Sequence, residues 1–196
     1  MKKEQFEWIQ SWCDENFKSD LPRVLLVGDS ICFGYQEIVR EMLRGVCYVD
    51  YVATSYAIDS EMYNSLVKNF VNSGDYDLIH FNHGLHGIHL EPDEYGERLA
   101  KLINEIRVGK KFILATCTYI IEPETIAQEE SWQFRSVQRN EVINEIAKKE
   151  GLVINDLYEL SKSIPVEFRN EDGVHYKPDG YRIFAKQIVE KIKTQI

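Results

Sequence analysis

Five short apolar runs alternate with longer amphipathic ones, and few folds accommodate that rhythm. Arg23–Val27 (RVLLV), Val46–Val52, Asp77–Asn82 (DLIHFN), Lys111–Cys117 (KFILATC) and Leu152–Ile154 are strand-like. Arg23–Val27 is a short β-branched run ending at Gly28, as a strand buried on both faces is. Between them, helical spacing places Ile38, Met42 and Leu43 on one side of Gly34–Leu43. Further helices are expected from about Ser60 to Phe70 and over Asp93–Ile106, the latter turning Leu99, Leu102, Ile103 and Ile106 inward. Ser131–Lys149 reads as the longest helix, closed by Gly151 at a C-cap position. The last helix opens at Pro178 and carries Tyr181, Phe184, Ile188 and Ile192 along one face. Strands alternating with helices imply a parallel sheet covered on both faces, a three-layer α/β/α sandwich of five parallel strands. Residues 4–17 place Phe6, Ile9, Gln10, Cys13 and Phe17 at helical spacing. A helix within residues 1–20 is therefore expected ahead of a core spanning 21–196, the whole chain of 196 residues forming one domain.

The charge balance narrows the partners. Lys and Arg number 23 against 32 Asp and Glu, a net charge of −9 with neutral histidines. A duplex nucleic acid demands a basic face, so nucleic acid is not expected as a partner. An anionic membrane surface is disfavoured for the same reason, and no apolar run reaches the length of a membrane span. Glu4 and Glu7 interrupt any apolar character in MKKEQFEWIQSW, which does not read as a secretory signal, so a cytoplasmic location is expected. The scattered Cys13, Cys32, Cys47 and Cys117 form no C-x-x-C pair and are expected reduced and mostly buried. Cys32 reads as small-residue helix packing rather than a nucleophile, since no separate basic partner stands near it in sequence.

In a parallel α/β sheet, sites gather at the carboxyl ends of the strands. After the first strand stands Gly28-Asp29-Ser30, which reads either as a capped strand-to-helix turn or as one presenting a nucleophilic serine. Ahead of the last helix stands Asp172-Gly173-Val174-His175. By itself this is a capping Asp beside an exposed His. A serine nucleophile needs an imidazole base, however, and that base needs a carboxylate on its other nitrogen. The two motifs occupy the same rim of the expected sheet.

GDS near the amino end and DGVH near the carboxyl end resemble the SGNH (GDSL-type) hydrolase family, over about Arg23 to Ile192. The resemblance implies a flavodoxin-like sandwich and cleavage of carboxylic esters through an acyl-enzyme. It casts Ser30 as nucleophile, His175 as base and Asp172 as its carboxylate, with no cofactor and no metal. Ser30 lacks the G-x-S-x-G setting of the other serine-hydrolase elbow.

The middle blocks depart from the family. Its second block supplies a glycine N–H to the oxyanion hole, yet no glycine occurs between Gly45 and Gly74. Within Ala53–Ala57, Ser55 is the candidate backbone donor, alternatively an ordinary loop serine. The third block, normally G-x-N-D, aligns Gly84 with the family glycine and puts His86 where the family has its oxyanion Asn. Either His86 donates an N–H, or Asn82 at the strand end reaches the same point; Asn82 is preferred, because an amide donates at any pH. The Ser30 N–H completes the expected oxyanion set. Asp29, Gly84 and Trp132 are candidate substrate contacts, Trp132 as a platform for a sugar ring or else as core. His80, His83, His86 and His89 recur every three residues, but across a strand and two glycines, so no metal site is expected and His80 reads as a core residue. The expected substrate is a small-molecule or carbohydrate ester, with a short acetyl group favoured by analogy. The alternatives are a lysophospholipase or thioesterase, and a non-catalytic binding module with a degraded oxyanion hole.

Overall fold

The computed structural model describes residues 4–196. Its order is β1 (Ile9–Trp12), β2 (Arg23–Gly28), α1 (Ser30–Met42), β3 (Tyr48–Thr54), α2 (Glu61–Ser73), β4 (Leu78–Asn82), α3 (Pro92–Ile106), β5 (Lys111–Ala115), α4 (Trp132–Glu150), β6 (Val153–Asn155), α5 (Leu157–Lys162) and α6 (Pro178–Lys193). Single 3-10 turns occupy Gln128–Glu130 and Val166–Phe168.

The six strands form one sheet in the order β1-β3-β2-β4-β5-β6. The five from β2 onward are mutually parallel and coincide with the five runs read from the sequence. Every residue of β2, β3 and β4 is buried, as continuous apolar runs require of strands covered on both faces. Helices α1 and α6 pack together, and α3 packs between α2 and α4. The strand order reverses at β2, which lies between β3 and β4; the crevice between the carboxyl ends of β2 and β4 is thus the topological switch point of the sheet.

Three boundaries differ from expectation. The helix expected within residues 1–20 is absent from the described part, and residues 1–3 lie outside it. Ile9–Trp12 instead pairs antiparallel with β3, Ile9 opposite Thr54 and Trp12 opposite Tyr51. Spacing suggested a buried helical face, but Phe6, Ile9, Trp12 and Phe17 are all exposed. The edge of β3 offers a ladder of backbone groups that pairing satisfies, and this decides a segment with no apolar face to bury. Helix α1 begins at Ser30, four residues earlier than read, because Asp29 caps it. Helix α5, only six residues long, is too short to show a period.

Among the cysteines, Cys32, Cys47 and Cys117 are buried and free, while Cys13 is exposed. At the end of the sheet opposite the switch-point crevice, Arg23 is buried and donates to Asp50 (2.9 Å) and to the carbonyls of Asp14, Glu15 and Lys18. Tyr76 donates to the other Asp50 oxygen, so this buried charge pair is fully hydrogen-bonded.

Candidate active site

Strand β2 ends on Gly28, where any side chain is excluded: an added Cβ would lie 2.2 Å from Cys32 Cβ and 2.7 Å from the Asn82 carbonyl oxygen. This close approach seats the turn directly against β4. Asp29, fully buried, then accepts from Ile31 N–H at 3.1 Å through Oδ1, the N-cap bond of α1. Its Oδ2 accepts from the Gly84 and Leu85 N–H groups, each at 3.3 Å. One carboxylate therefore starts the helix and fastens the loop after β4 to the turn that carries Ser30. This positioning role replaces the substrate contact expected of Asp29.

Ser30 is the first residue of α1, partly exposed at the rim. Its N–H is among the first-turn donors that have no acceptor inside the helix. Its Oγ lies 2.8 Å from His175 Nε2, and His175 Nδ1 lies 2.7 Å from Asp172 Oδ2. Asp172 Oδ1 accepts from the backbone N–H groups of Val174 and His175 at 2.9 and 2.8 Å. Burial raises the Asp172 pKa, but those two backbone bonds and the imidazole outweigh it, and the carboxyl is held below its usual range. The structure thus brings Ser30, His175 and Asp172 into one hydrogen-bonded line from opposite ends of the chain.

The loop bearing Asp172 and His175 is fixed by its backbone. Gly173 adopts φ +71°, and a Cβ there would fall 2.0 Å from the Ile121 carbonyl, which packs against the turn while Ile121 N–H donates to the Gly173 carbonyl. Arg169, buried behind it, donates to the Tyr119 and Ser161 carbonyls and stacks on Tyr176 at 4.7 Å. The His175 and Asp172 side chains remain 36% and 48% exposed, so the line lies at a shallow, solvent-open rim.

The expected oxyanion donors are distributed differently from the reading of the sequence. Ser55 N–H donates to the Trp8 carbonyl (3.3 Å), its hydroxyl donates to Glu7 and it accepts from Trp8 N–H. That serine binds the segment ahead of β1, and its N–H is occupied. Asn82 is buried inside the sheet end: Nδ2 donates to the Thr116 carbonyl and Oδ1 accepts from Tyr35. It crosslinks α1 and the end of β5 from the last position of β4, opposite Gly28. Gly84 packs on Cys117, where a Cβ would lie 2.3 Å from Sγ, and is a close-packing glycine rather than a substrate contact. His86 remains, with Nδ1 2.7 Å from Glu4 Oε1.

The other histidines of this stretch, His80 in β4 and His83 and His89 in the loop after it, have separate partners. His80 bonds Asn155, His83 lies over Tyr63 and bonds the Tyr56 carbonyl, and His89 bonds Asp59. Burial drives the His80 pKa down to about 3 and that of His83 to about 4. No group of three or more potential ligands converges among the described residues.

Trp132, the first residue of α4, is partly exposed and forms a wall shared by two clefts. One, of about 570 Å³, is lined also by Glu4, Gly87, His89, Glu130 and Arg135. The other, of about 390 Å³, includes Ile120, Ile121, Val174 and Asp172. Glu122 anchors this corner by accepting from Ser131 Oγ and from the Trp132 and Gln133 N–H groups. The smaller cleft thus reaches Asp172 at one end of the Ser30–His175–Asp172 line, and the larger adjoins it across Glu130 and Trp132. Sequence reasoning missed Glu4, Glu7 and Glu122, whose partners lie 82, 48 and about ten residues away and leave no local pattern.

No protein-family model matches the chain, and no curated protein matches it in sequence. Solved structures do resemble it. A lipase/acylhydrolase from Enterococcus faecalis superposes with a TM-score of 0.74 at 22% identity, over 89% of this chain and 96% of that one. An acetylxylan esterase from Geobacillus stearothermophilus gives 0.71 at 18% identity, over 87% and 94%. A GDSL-like lipase from Bacteroides thetaiotaomicron gives 0.71 at 16% identity, over 89% of each chain. The fold is that of the SGNH, or GDSL-like, hydrolases.

Proposed function

We propose that the chain is a serine hydrolase of carboxylic esters acting through an acyl-enzyme. The observation that carries this reading is the continuous contact from Ser30 Oγ to His175 Nε2 and from His175 Nδ1 to Asp172. With Asp172 ionised, the Nδ1 proton is the one it accepts, which leaves the Nε2 lone pair for the serine proton. Ser30 Oγ attacks the ester carbonyl as His175 takes its proton, and Asp172 stabilises the resulting imidazolium. The tetrahedral oxyanion collects the Ser30 N–H at the positive end of α1. Collapse expels the alcohol, which takes the proton from His175; a water then attacks the acyl-enzyme by the same route and releases the acid.

The two clefts that share Trp132 support a small, neutral ester. Glu4, Glu129 and Glu130 line the larger cleft and Glu122 the smaller, with Arg135 already paired to Glu91. Carboxylates on the rim and a net charge of −9 repel an anionic lipid headgroup or a polyanionic thioester carrier. An aromatic wall beside polar groups suits a sugar ring, so an acetylated carbohydrate is the favoured substrate class. The same line of contacts argues against a non-catalytic binding module.

A fluorophosphonate probe tests the chemistry. Wild type is expected to be labelled and Ser30→Ala is not; labelling that persists in Ser30→Ala refutes the assignment. Acetyl esters are expected to react faster than octanoyl esters of the same alcohol. A rate rising with chain length would instead point to an acylhydrolase of long chains.

A further inference from the structure

The loop after β4 lies between two buried charges. Asp29 is 1% exposed, and Arg139, on α4, is 2% exposed. The Arg139 guanidinium donates to three carbonyls of that loop, those of Gly84 (2.9 Å), His86 (3.3 Å) and Gly87 (2.6 Å). It lies over the Tyr95 ring at 4.2 Å, and the Tyr95 hydroxyl donates to the His83 carbonyl at 3.1 Å. From the other side Asp29 Oδ2 accepts the Gly84 and Leu85 N–H groups. Gly84 is therefore held at its N–H by a carboxylate and at its carbonyl by a guanidinium.

Either charge buried alone would be strongly unfavourable, since it would lose water without gaining an opposite charge. Here the two answer each other across the backbone. The peptide groups between them turn N–H ends to Asp29 and carbonyl ends to Arg139, and each bond polarises the next. The next residue of α4 extends the hold. Asn140 accepts the Cys117 N–H at 2.7 Å and donates to the Cys117 carbonyl at 3.1 Å, and Gly84 packs on the Cys117 Sγ. Successive residues of one helix thus fasten the loops after β4 and β5. The contacts run on to the nucleophile. Asp29 Oδ1 accepts from Ile31 N–H at 3.1 Å, so Ser30 stands between the carboxylate and the N–H it captures. Ser30 Oγ in turn lies 2.8 Å from His175 Nε2.

We infer that Arg139 is a positioning residue: through the loop after β4 and through Asp29 it fixes the turn that aims Ser30 at His175. This role rests on the serine-hydrolase reading and is one of geometry. The bonds of Arg139 go to loop carbonyls and not to the Ser30–His175–Asp172 line, so its loss should act on the chemical steps more than on binding. A displacement of about 1 Å at a nucleophile costs on the order of a hundredfold in rate.

The test measures p-nitrophenyl acetate hydrolysis, corrected for the spontaneous reaction, in wild type, Arg139→Lys, Arg139→Met, Asp29→Asn and the Arg139→Met/Asp29→Asn double variant. Rates are expressed per serine titrated with a fluorophosphonate probe, so that unfolded protein does not count. Lysine keeps the charge but not the fork, and kcat is expected to fall about tenfold with KM within about twofold of wild type. Methionine removes both, and the loss should reach about a hundredfold. The double variant removes both buried charges, and its kcat should be no lower than that of Arg139→Met, because residues acting along one path are not additive. A purely structural Arg139 would lower the melting temperature and leave kcat per titrated serine unchanged. A native Arg139→Lys with kcat within about twofold of wild type overturns the inference, and so do single losses that multiply in the double variant. If Arg139→Met does not fold, Arg139→Lys and its combination with Asp29→Asn carry the same comparison. Labelled Ser30 with unaffected Arg139 variants refutes the Arg139 role alone, whereas full turnover in Ser30→Ala refutes the serine chemistry beneath it.

Discussion

Asp29 accepts three backbone N–H groups, from Ile31, Gly84 and Leu85, and its removal yields a quantitative expectation. In Asp29→Ala the α1 cap is lost, worth about 1 kcal/mol. The Gly84 and Leu85 N–H groups are left buried and unpaired, at about 1–3 kcal/mol each. Their 3.3 Å bonds are long, which favours the lower end, and the sum is about 3 kcal/mol. With a urea m-value of about 2 kcal/mol/M, the midpoint falls by about 1.5 M at unchanged m. Asp29→Asn retains a single acceptor oxygen and should fall between wild type and alanine. Urea unfolding followed by tryptophan fluorescence and by far-ultraviolet circular dichroism supplies the assay, coincidence of the two confirming a two-state transition. A midpoint within about 0.3 M of wild type for Asp29→Ala would show that the loop after β4 does not depend on this carboxylate.

Other consequences are sharper in sign than in size. Asp172→Asn cannot hold the Nδ1–H tautomer of His175 and should lower kcat by about a thousand-fold or more, leaving KM for small esters nearly unchanged in a progress-curve assay. Gly173→Ala, forced against the Ile121 carbonyl at φ +71°, should lower the melting temperature and abolish turnover together. Trp132→Ala should raise KM for acetylated sugars about tenfold while sparing p-nitrophenyl acetate. His80 and His83 are buried neutral, with pKa values of about 3 and about 4 against 6.5 for the free ring. The unfolded chain therefore binds more protons below pH 6.5, and stability is lost as pH falls from 6.5 towards 4 for His83 and 3 for His80, on the order of 1 kcal/mol per pH unit for each ring. His80→Gln should flatten this slope in urea titrations across that window; an unchanged slope would place the proton uptake elsewhere.

The parallel core was legible because its strands bury both faces, and a run such as Arg23–Val27 carries that fact in its composition. Ser30, Asp172 and His175 were legible because two short motifs each hold their own local geometry: Asp29 caps a helix, and Asp172 reaches a histidine three residues on. The start of the chain was not. Phe6, Ile9, Cys13 and Phe17 have helical spacing, yet an edge of β3 decides their conformation, and no local pattern reports a free edge. The surroundings of the candidate oxyanion donors were not legible either: Asn82 is held by Tyr35 and Thr116, and His86 meets Glu4 across 82 residues, partners that no local pattern reports.

Strand β1, at the sheet edge, runs antiparallel to the other five strands, and that direction has a practical side. In a parallel sheet every strand delivers its chain to the rim where chemistry is done, so a strand of opposite polarity must set out from that rim. Glu4, ahead of that strand, consequently stands beside His86 and lines the larger cleft. The carboxyl end is disposed otherwise: α6 leaves the catalytic rim at Pro178 and descends to the far end of the sheet, where the Lys111 ammonium at the foot of β5 meets the Gln195 carbonyl. An affinity tag, a fluorophore or a fused protein belongs at Ile196, and an immobilised enzyme tethered there presents its open face to solution.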